Sequence, residues 1–474
     1  MKTDRSMHLI GECDCSSIEI ECMLIDKTTL QDLSIFHPDE EQSLFARIDH
    51  TTTATGKQVL QKIFSSPLQD FNAIKEVQDI LKLLEEELNN WPGDITNGTM
   101  LVVEKFLDDN PQSIPENPNP LNSFLYRILN AGEYSMTLFS MRQLFALIRG
   151  FEKLHKLFRK HKLPSRLELL VGESERLISN RLITSLKAFE NFQEMSTPEI
   201  LKYASIFHNE LPVTLRRLLE IHASLDAWKS MATANKTLKL HFPTFESSEH
   251  PLLEIRNLKH IMLKEAVGYD LLMDKDQHFI FLTGANMAGK STLIKAVGLS
   301  VYLAHLGMGV PASFMRLSLF EGLLSNINVM DNIIKGESYF YNEVRRIRET
   351  LIKISDGRKW LVLIDELFKG TNMQDAMKCT VSVVEGLSKA ENALFILSSH
   401  LYEIGDDLKR LPTLRFKYFE TILKNNDLHF SYQLKDGISK DRMGYLILQK
   451  EGVTTLLENI GKNKPTVVIN PKTA

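Results

Sequence analysis

The residues with the most chemistry in this sequence lie in FLTGANMAGKSTLIKAVGLS, which begins at Phe281. Here Gly284, Ala285, Asn286, Met287, Ala288, Gly289, Lys290, Ser291 and Thr292 follow an apolar, strand-like run and open a helix-like one. The spacing fits G-x-x-x-x-G-K-[ST], and each part has a physical use. Glycines let the backbone curl so that successive amides point at phosphate oxygens. The helix that follows adds free N-terminal amides and the positive end of its dipole. Lys290 can reach the outer phosphates, and Ser291 offers a hydroxyl to magnesium. The expected ligand is a nucleoside triphosphate with Mg2+.

Hydrolysis needs acids nearby. WLVLIDEL ends an apolar strand in Asp365 and Glu366. Asp365 can enter the magnesium shell, so Ser291 and Asp365 are the expected metal ligands, and Glu366 beside it can orient and polarise water. NALFILSSHLYEI ends a further strand at His400, either a sensor of the γ-phosphate or an ordinary strand-end histidine. Between these, Gly336-Glu-Ser338 opens a helix expected to run to about Ile354. It serves as an N-cap of that helix, or as in ABC-type ATPases it touches the γ-phosphate held by an opposite subunit. In the second case Ser338 works in trans and each site needs two chains.

The elements that position these residues fall into two halves. From Phe36 to Thr237, apolar residues recur at three- and four-residue spacing, as in IKEVQDILKLLEEEL. One break, LDDNPQSIPENPNPLN with Pro111, Pro115, Pro118 and Pro120, reads as a loop. Beyond residue 240, FIFLTG, WLVLIDEL, NALFILSSH and LHFSYQL read as strands separated mostly by helices, the α/β signature of a largely parallel sheet. The expected architecture is multidomain: a segment 1–29, an all-α domain over 30–240, and an α/β P-loop domain over 241–474.

The length of 474 residues suits two to four domains, and 43% hydrophobic with 24% charged residues is ordinary for a globular protein. A net charge of -4 excludes wholesale electrostatic binding to nucleic acid or membrane but leaves room for a basic patch. Four cysteines are too few for a disulfide scaffold, and Cys13, Cys15 and Cys22 read as scattered thiols rather than a zinc set. With no signal peptide and no run near ~18 apolar residues, a cytoplasmic protein is expected. MRQLFALIRGFEKLHKLFRKHKLPSR is rich in base, and Arg149, Lys153, Lys156, Arg159, Lys160 and Lys162 form a candidate phosphate-contacting stripe or a solvated helix face.

Taken together, the motifs resemble the MutS proteins of DNA mismatch repair. TGANMAGKST is similar to their Walker A, DNIIKGESYFYNEV to their signature segment (Ser338, Phe340, Glu343), and LIDELFKGTNMQDA to their Walker B with Gly370, Thr371 and Asp375. SSHLYEI resembles the segment of their switch histidine, at His400, and LKDGISKDRMGYLILQKEGV the stretch that packs at the dimer interface. LFARIDHTTTATGKQVLQKIF resembles the start of the family's helical lever. The resemblance implies ATP with Mg2+, a homodimer with Ser338 in trans, and an ATP-driven clamp on duplex or branched DNA, with a repair or recombination protein as a possible partner. It also implies a short form without the mismatch-reading domain, in which only Met141 to Arg181 supplies a reduced clamp tip. The alternative is a nucleotide-switched protein-interaction module indifferent to DNA. Departures include Ala285, Ala288, Tyr339 and Phe368-Lys369. The only aromatic candidate for an adenine contact in KHIMLKEAVGYDLLM is Tyr269.

Overall fold

The computed structural model describes residues 21–109, 114, 115, 117–328, 339–424, 427–439, 449 and 451–460. A short strand β1 (Leu24–Ile25) and helix α1 (Lys27–Asp32) come first. The helical half comprises α2 (Leu44–Ile48), α3 (Ala54–Ser65), α4 (Phe71–Glu87), α5 (Asn97–Asp108) and α6 (Pro120–Leu129). It continues with α7 (Ala131–Phe158), α8 (Ser165–Ile178), α9 (Arg181–Leu186), α10 (Thr197–Asn209) and α11 (Pro212–Leu238). The α/β half follows: β2 (Thr244–Glu246), β3 (Leu253–Leu258), β4 (Tyr269–Met273), β5 (Phe279–Thr283), α12 (Lys290–His305), β6 (Phe314–Ser318) and β7 (Gly322–Asn326). After these come α13 (Tyr339–Ile354), β8 (Trp360–Asp365), α14 (Met373–Leu387), β9 (Ala393–Ser398), α15 (Gly405–Leu408), β10 (Leu414–Lys424), β11 (Asp427–Asp436) and α16 (Val453–Asn459).

The helix starts follow local chemistry. Thr53, Asp70 and Asn119 each accept an amide of the first turn of the helix they precede, and Ser196 with Glu199 closes a reciprocal capping box. Asp70 introduces α4, whose Ile74, Val77, Leu81 and Leu84 face the core. The proline-rich stretch is not all loop. Pro120 is the first residue of α6, where its fixed φ suits a helix and its missing N–H costs nothing.

The main sheet has seven strands in the order β1-β7-β8-β9-β5-β10-β11, and every neighbouring pair is parallel except β10–β11. All residues of β5, β8 and β9 are buried, as expected of strands covered by helices on both faces. A second sheet, β2-β6-β3-β4, lies beside it. The stretch ahead of the helical half belongs to the main sheet. β1 adds its edge strand, and the buried Asp32 carboxylate takes the Ser325 hydroxyl and the Ile327 and Asn328 amides.

Another buried carboxylate staples the helical half. Asp226 of α11 accepts the amides and hydroxyls of both Thr52 and Thr53, at 2.7 to 3.1 Å. Asp226→Ala would leave four donors without that acceptor. A loss of about 2–4 kcal/mol in denaturant unfolding is expected, against less than about 0.5 kcal/mol for Lys75→Ala in its exposed pair with Asp79. At the α/β edge, burial would raise the Asp26 carboxyl, but hydrogen bonds from Arg346 and Lys353 hold it well below its ordinary 3.8. A depressed folded pKa lends stability that is full above the unfolded value and lost as pH falls through the folded one. The melting-temperature gap between the parent and Asp26→Asn is therefore expected to be widest above pH ~5 and to shrink below pH ~3.

Candidate functional site

The tips of β5, β8 and β9 meet at one end of the main sheet, where open α/β sheets form their ligand crevices. β5 leads into the loop Gly284–Gly289, β8 ends at Asp365, and β9 runs into Ser398, Ser399 and His400. Each apolar strand is fixed by its neighbours along its length, so the polar residues at its end are placed without choice.

The loop has a backbone only some residues tolerate. Gly284 and Gly289 have φ of 142° and 110°, and Met287 one of 68°. The backbone at Gly289 favours glycine through its positive φ alone, since a Cβ there would meet the rings of Tyr432 and Phe419 at 3.5 and 3.6 Å, ordinary contact distances. From Gly289 the chain enters α12, whose first residues Lys290, Ser291 and Thr292 line the pocket. Lys290 Nζ donates to Gly284 O (2.9 Å) and Ala285 O (3.1 Å), and burial lowers its pKa. Ser291 Oγ donates to Asp365, whose other oxygen takes the Ser398 hydroxyl.

Glu366 is held at φ 61°, with its amide on Ser398 O at 3.1 Å. Its carboxylate lies 3.6 Å from His400 Nδ1, 3.3 Å from Lys369 Nζ and 3.8 Å from Lys290 Nζ. The His400 contact, then the two ammonium charges, hold its pKa down to about 2 against burial. A carboxylate this acidic orients and polarises a water well but removes its proton poorly; drawing Lys290 onto a phosphate would make it more basic.

Asp365 and Ser291 present a carboxylate and a hydroxyl in direct contact. Mg2+ takes one or two protein oxygens, completes its shell with water and phosphate, and needs no larger acidic cluster. Among the described residues there is none of three or more His, Cys, Asp or Glu. The pair therefore fits magnesium as a partner of a bound phosphate chain.

Asn286, Met287, Gly289, Lys290, Ser291, Thr292 and Glu366 open onto a pocket of about 650 Å³. The rest of its lining is His260, Leu263, Glu265, Ala266, Val267, Tyr269 and Tyr432, a mainly apolar and aromatic set with one carboxylate, suited to a nucleobase. Tyr269 is 5% exposed and meets Phe419 edge-on with centroids 5.6 Å apart. The ring open to the pocket is Tyr432, 43% exposed and at φ 52°. Sequence reasoning missed Tyr432 because it belongs to β11, more than 150 residues beyond Tyr269. Only the β10–β11 hairpin brings it over the loop.

Ser338, with Gly336, lies outside the described residues. Just after it, Phe340 packs on Phe368 with centroids 5.7 Å apart. The buried Glu343 accepts the Lys369 amide at 3.4 Å, and burial raises its carboxyl against the nearby Phe368, Lys369 and Gly370 amides. The resemblance marks Glu343; its work as the anchor of the loop behind Glu366 is visible only in three dimensions.

The basic stripe divides. Arg149 pairs with Glu152 and donates to the carbonyls of Lys187 and Phe189, Lys153 pairs with Asp94, and Arg159 with Glu175. Lys156, Lys160 and Lys162 are exposed, with no ion-pair partner among the described residues.

The description MutS domain V matches residues 280–460, which span the loop, the acidic strand and the hairpin. Over this segment the chain is similar to the MutS family. It is 26% identical over 282 residues to the DNA mismatch repair protein MutS of Petrotoga mobilis, covering 58% of this chain and 33% of that protein. With the MutS of Carboxydothermus hydrogenoformans it shares 28% over 294 residues, covering 60% and 32%. With that of Streptococcus pyogenes serotype M5 it shares 26% over 245 residues, covering 50% and 28%. The chain thus spans about a third of the length of the curated relatives it matches. No helix among the described residues is long and apolar enough to cross a membrane.

If Tyr432 is the base-facing ring, Tyr432→Ala weakens ATP affinity about tenfold or more, as loss of a base–aromatic stack does, with melting little changed. Tyr269→Ala instead lowers the melting temperature, since it empties a buried place against Phe419. Titration with a fluorescent ATP analogue and a thermal scan of both variants separate the two roles; equal affinity for Tyr432→Ala and the parent rejects the assignment.

Proposed function

We propose that this chain is a MutS-like, magnesium-dependent ATPase that closes as a dimer and acts as a clamp on duplex or branched DNA. The observation that carries this reading is the convergence at one sheet end of Lys290, the Ser291–Asp365 pair and the Glu366–His400 contact, beneath a pocket with an aromatic wall.

In this reading the amides of 284–292 and the Lys290 ammonium bind the β- and γ-phosphates. Lys290 leaves the Gly284 and Ala285 carbonyls to do so, which loosens its hold near Glu366. Mg2+, held by Ser291 and Asp365, supplies charge neutralisation and orients the phosphate chain. Glu366 then orients the attacking water, and His400, tied to Glu366, responds to the γ-phosphate. Ser338 of a second chain is assigned the trans contact, so that two closed sites drive the helical halves together.

A second reading has a specific observation in its favour. Three of the six basic candidates, Arg149, Lys153 and Arg159, already hold acids of the protein. That pairing suits a nucleotide-switched interaction module as well as a DNA clamp, and leaves Lys156, Lys160 and Lys162 as the residues that decide.

ATP hydrolysis by the purified protein, measured with and without linear, mismatched and four-way-junction DNA at low and high salt, tests both. A DNA clamp shows stimulation that falls as salt rises, and Lys156→Ala/Lys160→Ala/Lys162→Ala reduces the stimulation without changing basal turnover. A rate indifferent to every DNA form rejects the clamp in favour of the interaction module. Glu366→Gln is expected to retain ATP binding and lose turnover by about 100-fold or more; normal turnover would remove Glu366 from the water-orienting role.

A further inference from the structure

Amphipathic helices in globular proteins turn their apolar stripe inward. The α6 helix does the reverse. Leu121, Phe124, Leu125, Ile128 and Leu129 recur at i, i+3, i+4, i+7 and i+8, one continuous face. That face points to solvent, with exposures from 46% at Leu125 to 75% at Leu129. What α6 buries is Ser123 and Tyr126, the latter with its hydroxyl donating to Glu133 at 3.3 Å. Directly beyond the turn at Asn130, Met136 and Phe139 of α7 are exposed by 56% and 52%.

These seven side chains leave roughly 600–800 Å² of apolar surface in one hairpin, taking about 150–200 Å² for a whole large side chain. That exceeds the roughly 300–600 Å² of the largest patch on a typical monomer and approaches the ~800 Å² per partner of a stable protein interface. From Pro120 to Ser140 the only charged residues are Arg127 and Glu133, one of each sign. A surface so nearly neutral does not attract nucleic acid or anionic lipid. It needs a partner equally apolar and equally neutral. A second copy of the chain offers such a face, and a two-fold interface would bury it from both sides at once.

We propose that the α6–α7 hairpin is a self-association surface, in which the outward apolar face of α6 packs against the same face of a second copy. This contact lies in the helical half and does not depend on the nucleotide site, so it goes beyond the ATP-driven closure proposed above. It would keep two chains together while their nucleotide sites open.

The test is sedimentation equilibrium of the full chain without nucleotide, which leaves ATP-driven closure out of the readout. The parent is expected to be a dimer at micromolar concentration. Leu125→Glu/Ile128→Glu, two substitutions at exposed positions, is expected to raise the dissociation constant about 30-fold or more at an unchanged melting temperature. A monomeric parent, or a double variant that dimerises as tightly, overturns the proposal. A photo-crosslinker at Phe124 in a mixture of isotopically light and heavy chains gives an independent readout. Light–heavy products within residues 120–139 are expected. Products confined to one chain would show that a segment of the same chain covers the face, and would overturn it.

Discussion

The packing of α12 is the constraint on which the rest depends. The helix starts at the phosphate-type loop and ends in the helical half, and nearly all of its residues are buried. Its first turn carries Lys290 and Ser291 to the site. Its last carries Tyr302, whose hydroxyl donates to Phe64 O, and His305, whose Nδ1 donates to Leu68 O at 2.7 Å. The Phe320 amide donates to the other ring nitrogen, and complete burial pushes the His305 pKa down to about 4, so the ring stays neutral and both bonds persist at physiological pH. A helix of this length spans about 22 Å from Lys290 to His305. Buried along all but Ser291, Thr292 and Lys295, it cannot slide without breaking those bonds. A shift at the loop must therefore be passed to α3 and α4 rather than absorbed.

Buried carboxylates do most of the remaining fastening. Asp32 ties the chain start to the segment after β7, Asp226 ties α11 to the approach of α3, and Glu343 ties α13 to the loop behind Glu366. For Asp32 and Asp226, amides and hydroxyls from distant sequence satisfy the acid, which makes its burial tolerable; one Glu343 oxygen has no hydrogen-bond partner among the described residues, and burial raises that carboxyl. Asp365 has a similar environment, two hydroxyls and almost no exposure, yet one of those hydroxyls is that of Ser291, which lines the pocket. What separates Asp365 from the fastening acids is its position at the sheet end, not its chemistry. The strained backbone is likewise concentrated near the pocket: Met287, Glu366, Phe368 and Tyr432 all have positive φ.

Much of this was legible in the sequence, for reasons that can be named. Runs such as FIFLTG, WLVLIDEL and NALFILSSH are too apolar and too short to be anything but covered strands, and glycine, lysine and serine at fixed spacing after one of them leave few geometries open. The periodicity of residues 36–237 sufficed for the all-helical half. The strands β2, β3, β4, β6 and β7 and the edge strand β1 carried too little pattern to be read, because they lack the unbroken apolar run of β5, β8 and β9 and are defined by the partners they pair with.

What the sequence determined by itself was therefore local: the loop that can wrap phosphates, the acids at strand ends, the stops and starts of helices. These follow from backbone sterics and from side chains acting within a turn or two of their own position. Tertiary structure alone decided the contacts between residues far apart in the chain. It placed Tyr432 rather than Tyr269 at the open wall of the pocket, set His400 and Lys369 around Glu366, spent Arg149, Lys153 and Arg159 on internal acids, and left the apolar side of α6 facing outward. Each of these depends on which surface a segment meets after the chain has closed on itself, and helical or strand period carries no information about that.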